Sequence, residues 1–128
     1  MTAQTIAQRL SEDVKDAMRA RDERRLSAIR MLRAAIKNLE ISRSDRKDAT
    51  YGHEVTEADI VAVVQKEITQ KRETIHFAEI GNRTELLEKE RAELAFMEIY
   101  LPKMLTRDEI RAAVDSIIAR SEEHTSEL

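Results

Sequence analysis

Strong helix breakers are nearly absent from this chain: two glycines, Gly52 and Gly81, and a single proline, Pro102, in 128 residues. Between them run long stretches dominated by Ala, Leu, Glu, Lys and Arg, the residues that lose least on entering a helix. Charged side chains make up 37% of the sequence and aromatic ones 3%. A composition this poor in β-formers and turn formers predicts an all-α protein with no sheet. Its core must be assembled from Ile, Leu, Val, Ala and Met, with few large aromatic side chains to bury.

Apolar spacing divides the chain into helices. Ile6, Leu10, Val14 and Met18 recur every fourth position and predict a first helix over about residues 4–20. Asp22 and Glu23 open a second, since acidic side chains are favourable at a helix N-terminus. Leu26, Ile29, Leu32, Ile36 and Leu39 give it a core stripe, and it should end near residue 44. Residues 45–55 lose the periodicity and contain Gly52, which predicts a loop. Thr56 with Asp59 resembles a capping box and starts a third helix carrying Ile60, Val64, Ile68 and Ile75. Gly81-Asn82 is its expected stop. Thr84 then caps a fourth helix with Leu87, Leu94, Met97 and Leu101, closed by Pro102. Thr106-Arg107-Asp108-Glu109 forms another capping box ahead of a fifth, with Ile110, Val114, Ile117 and Ile118.

Several functional classes lack the residues they need. Without cysteine there is no disulfide framework and no thiolate metal site. His53, His76 and His124 have no helical i, i+4 histidine partner and no Glu-x-x-His arrangement, so no metal site is expected. Gly52 and Gly81 stand alone, which leaves no phosphate-cradling glycine loop or cofactor motif. Hydroxyls fall at caps and exposed turns, and carboxylates lie where solvated helix faces put them, so no catalytic constellation is expected. No apolar run approaches the roughly 20 residues of a membrane span, and the polar N-terminus does not read as a secretory signal. A cytoplasmic address is the resulting expectation.

Charge is unevenly distributed. Residues 1–50 hold 12 Lys/Arg against 8 Asp/Glu, while residues 51–128 hold 10 against 17. Within the basic half, Arg30, Arg33 and Lys37 lie at i, i+3 and i+7, in one stripe beside the apolar face of the second helix. Arg43, Arg46 and Lys47 continue the positive charge into the loop. A stripe of this kind can follow a phosphate backbone, each neutralised phosphate releasing counterions. The plain alternative is a solvated face with intrahelical ion pairs, for instance to Glu40. No aromatic residues interleave with the cations, which argues against reading single-stranded bases. Lys71 interrupts the apolar stripe of the third helix, where it is expected to snorkel outward or pair with Glu67.

Three stretches taken together carry a resemblance: Arg25 to Leu32 continuing through Ala34-Ala35-Ile36-Lys37-Asn38, Gln65-Lys66-Glu67-Ile68, and Tyr100-Leu101-Pro102-Lys103-Met104-Leu105. Jointly they resemble the YqeY family, small proteins similar to the tail of the B subunit of glutamine-dependent tRNA amidotransferase. Met104 stands where many relatives have Gln. The resemblance implies a helical N-terminal domain, here residues 1–99, followed by a small three-helix domain begun by residues 100–119. It further implies a link to amide formation on mischarged aminoacyl-tRNA, a carbon–nitrogen ligase reaction with glutamine as amido donor. The chain itself would be an accessory or tRNA-binding protein with no cofactor, no catalytic site and no DNA partner. Arg30, Arg33, Lys37, Arg43, Arg46 and Lys47 are the candidate RNA contacts. The alternative function is a helical protein–protein interaction module that binds no RNA.

Residues 120–128, Arg-Ser-Glu-Glu-His-Thr-Ser-Glu-Leu, abandon the spacing of the fifth helix. They resemble the peptide read from a common sequencing-adapter sequence translated in frame. The expectation is a non-native tail after residue 119, with the rest of the small domain missing.

Overall fold

The structure, a computed structural model, describes residues 4–102 together with Arg111, Ala112, Val114, Asp115 and Ile118. Four helices make up its body: α1 (Ile6–Ala20), α2 (Glu23–Ser44), α3 (Glu57–Ile80) and α4 (Thr84–Glu98). No strand occurs among the described residues, and the protein is all-α. The five positions described beyond residue 110 are helical, within the span expected for a fifth helix. Val114 and Ile118 have about half their surface exposed. The capping box at Thr106, Ile110, Ile117 and the tail 120–128 lie outside the described residues.

The first three helices begin with local capping chemistry. Thr5 Oγ1 accepts from the Gln8 amide while Gln8 Oε1 accepts from the Thr5 amide, a reciprocal box. Thr56 and Asp59 form the equivalent box at the start of α3. Its bonds hold the Asp59 carboxyl below the ordinary carboxylate value, and Arg43 adds to the effect. Asp22 caps α2 by accepting from the Arg25 amide at 3.1 Å. The turn between α1 and α2 is tight because Arg21 adopts a left-handed φ of 55°.

At the end of α3 the left-handed residue is Asn82 (φ 52°), not Gly81, whose φ is −82°. Thr84 does not cap α4. The N-cap is Arg83, which makes no side-chain capping bond, and Thr84 is already helical. The α4 helix stops at Glu98 and turns through Tyr100 and Leu101 before Pro102.

The core is continuous. It joins Ile6, Leu10 and Ala17 of α1, Ala28, Ile29, Leu32 and Ile36 of α2, Ile60, Val64 and Ile68 of α3, and Met97 and Tyr100 at the end of α4. Helix α2 is the central element, packing against the other three, while α3 and α4 pack on each other. One expected core residue is misplaced: Met18 is 57% exposed, and Ala17 is buried in its stead. Helical geometry explains the exchange, since 11 residues after Ile6 the helix has rotated back to within about 20°, whereas 12 residues leave it about 120° away.

Tyr100 locks the end of α4 to the first two helices. Its buried hydroxyl donates to Asp13 Oδ2 at 2.5 Å, and Asp13 also pairs with Arg25 at 3.6 Å. Arg9 lies over the phenol ring at 5.0 Å and donates to the Ile99 carbonyl. Burial first, then the bond to Asp13, pushes the Tyr100 phenol far above its ordinary value. Tyr100 therefore belongs to the core that the four helices share.

Candidate nucleic-acid interface

Arg30, Arg33 and Lys37 project from the exposed side of α2. At 100° per residue the three lie within an arc of about 60°, so they form a single ridge beside the buried stripe. Among the described residues none of them makes an ion pair, so the pairing with Glu40 that the alternative reading offered does not form. Arg46 and Lys47 are exposed in the following loop and likewise make no ion pair among the described residues. The Lys47 amide bonds to Asp45 Oδ1, which shapes the turn that carries both cations.

Arg43 is separated from this group. Its guanidinium turns toward α3, donating to the carbonyls of His53 and Glu54 and to Asp59 Oδ2 at 3.4 Å. Position 43 continues the inward row of Ile29, Leu32, Ile36 and Leu39, and that accounts for its direction. Arg43 therefore ties the loop to the start of α3. The same loop is closed by the Gly52 amide bonding to the Arg43 carbonyl at 2.8 Å, with Gly52 at φ +80°. Asp48 stabilises the turn by accepting from the Thr50 hydroxyl and amide, and these bonds lower its pKa.

The ridge borders two recesses. A groove of about 340 Å³ between α1 and α2 is lined by Ala7 and Ser11 on one side and by Arg33, Ala34, Lys37 and Glu40 on the other, over Leu10 and Ile36. On the opposite flank of Ala34, Arg30 borders a shallower recess with Ser27 and Met31. The small side chains let a ligand approach the helices closely, and the long cations supply charge at the rim. Sequence reasoning located the α2 wall but missed the α1 wall, because nothing in a single helix pattern shows which residues face it across a groove.

The buried polar cluster was also only half visible. Lys71 is 6% exposed, and its Nζ lies 2.6 Å from Glu90 Oε2 and 2.7 Å from Glu93 Oε2. Its partners are thus on α4, one helix away from the expected Glu67. Met31 Sδ approaches the same ammonium at 3.7 Å. Burial opposes the charged lysine, but the bonds and charges of the two glutamates outweigh it and raise its pKa. Both of its nearest polar partners are carboxylates, which hold the amine in its charged form. The cluster joins α3 to α4.

Similarity to known proteins covers most of the chain. The family described as Yqey-like protein matches residues 7–127. Among curated proteins, altered inheritance of mitochondria protein 41, mitochondrial, from Lachancea thermotolerans is 30% identical over 121 residues, covering 93% of this chain and 61% of that protein. The protein of the same name from Eremothecium gossypii is 30% identical, covering 85% and 57%. Its Saccharomyces cerevisiae counterpart is 31% identical over 101 residues, covering 79% and 51%. The chain therefore spans between half and three-fifths of the length of these relatives. With the family match extending over nearly its whole length, the chain belongs to the YqeY family.

Proposed function

We propose that the protein is an RNA-binding accessory factor that works alongside glutamine-dependent tRNA amidation and holds tRNA without catalysing the ligation. The observation that carries this reading is the ridge of Arg30, Arg33 and Lys37, exposed on α2 and not consumed by ion pairs among the described residues. Arg46 and Lys47 extend it beyond the helix end. Arg43 acts indirectly, by fixing the loop that presents them. Long-range attraction to phosphate needs only such a display of charge.

The reading places the protein where aminoacyl-tRNA is made, the cytoplasm in the first instance. The relatives from the three species are named as mitochondrial proteins. No helix among the described residues is long and apolar enough to cross a membrane. Changing Arg30, Arg33 and Lys37 together to Glu should abolish salt-dependent tRNA binding while leaving the helical circular dichroism spectrum intact. Unchanged binding by that variant would remove the ridge from the account.

A second reading, a protein–protein interaction module, draws on a different surface. Phe77 and Ile80, one turn apart on α3, are 69% and 66% exposed. A partner retained at high salt, and lost when both are changed to Ser, would favour it over RNA binding.

A further inference from the structure

Charge alone attracts nucleic acid without saying where the strand lies or which kind it is. Ser11 bears on both questions. It sits in the middle of α1, exposed on the groove wall opposite Arg33 and Lys37. Helical hydroxyls commonly donate back to the carbonyl four residues earlier. Ser42, Ser44, Thr69 and Thr74 all do so in this protein. Among the described residues no such bond forms at Ser11, nor at Ser27 of α2, so the Ser11 hydroxyl is available to the groove it lines.

We propose that the α1–α2 groove seats the sugar–phosphate backbone of duplex RNA, with Arg33 and Lys37 on phosphates and Ser11 on a ribose 2′-hydroxyl. The proposal rests on the RNA-binding reading above and deepens it by naming the seat and the form of RNA. Arg33 and Lys37 are one helical turn apart on the same wall, so they address neighbouring points along a strand. A serine hydroxyl both donates and accepts, which suits a 2′-hydroxyl and gives DNA nothing equivalent to meet. Ala7 and Ala34 keep the groove open for a close approach of the strand. Glu40 repels phosphate at one end and so fixes which stretch of the groove the strand crosses. No aromatic side chain lines the groove, so it offers no platform for stacking unpaired bases. Recognition is therefore of backbone and shape, independent of sequence.

Two exposed substitutions on α1, outside the cationic ridge, test the seat. Binding of a duplex RNA, the DNA duplex of the same sequence and the single RNA strand is measured with the parent chain, Ser11→Glu and Ser11→Lys. Circular dichroism checks that each variant keeps its helices. The parent should prefer duplex RNA. Ser11→Glu should weaken its binding about tenfold, and Ser11→Lys should tighten it and steepen the salt slope by about one. If both variants bind like the parent while reversal of Arg30, Arg33 and Lys37 abolishes binding, the strand lies outside the groove. That result overturns the seat and leaves the RNA reading standing. Equal binding of DNA and RNA duplexes overturns the role given to Ser11. A parent chain that binds none of the three overturns both the seat and the RNA reading beneath it.

Discussion

Changing Lys71 to methionine would leave Glu90 and Glu93 buried beside each other without their shared counter-charge. Breaking a buried pair from one side typically costs about 3–5 kcal/mol, because the remaining charge stays out of water. The opposite change is milder. Two carboxylates face one ammonium here, and Glu93 Oε1 has no hydrogen-bond partner among the described residues. Glu93→Gln keeps the shape and reduces the cluster to one positive and one negative charge. Urea denaturation should therefore show Lys71→Met destabilised by about 3–5 kcal/mol and Glu93→Gln by less than about 1.5 kcal/mol. Equal losses would contradict the charge imbalance. A sequence read one helix at a time showed Lys71 inside an apolar stripe but paired it locally with Glu67. Leu87 and Leu94 are seven residues apart, and the place between them on the inward face of α4 is taken by Glu90. Opposite charges in two apolar stripes are the signal that would have joined them.

Capping separates two threonines that looked alike in sequence. Thr56 closes a reciprocal box with Asp59, whereas Thr84 has moved inside α4 and caps nothing. Thr56→Ala should cost about 1 kcal/mol of stability, while Thr84→Ala should fall within about 0.5 kcal/mol of the parent. Chemical denaturation of the two variants side by side checks the contrast. The box at Thr56 was legible because both of its partners lie within four residues. The start of α4 was not, since the chain leaves α3 through a left-handed Asn82 that shifts the helix entry by one residue. The same limit applies to Arg43. Charge pattern grouped it with Arg46 and Lys47, but its angular position on α2 points it toward the loop and Asp59. Helical phase, followed strictly to the end of α2, would have separated them.

At the scale of the whole molecule, the all-α class followed from the scarcity of breakers, and the helix order followed from the apolar spacing. How the helices meet depended on contacts between residues far apart in sequence. Tyr100 to Asp13 and Ile6 to Glu57 are two of these. Two groups that join the helices, Lys71 and Tyr100, have raised pKa values in the folded state. Raised values mean that the fold keeps these protons when the unfolded chain releases them. Their contribution is thus complete below the ordinary values of 10.0 for tyrosine and 10.5 for lysine, and it is lost as pH climbs toward the folded-state values. Thermal melts should accordingly fall above about pH 10, and the fall should be smaller for Tyr100→Phe, which has no phenol to titrate.

The central claim, that the α2 ridge holds RNA by its phosphates, is tested most directly by titrating the protein with tRNA across a range of salt concentrations. Three to five neutralised phosphates predict a slope of log affinity against log salt between about −2.7 and −4.5. A slope in that range, lost on reversing Arg30, Arg33 and Lys37, is the predicted result. Absence of binding at low salt, or binding that does not change with salt, would contradict it.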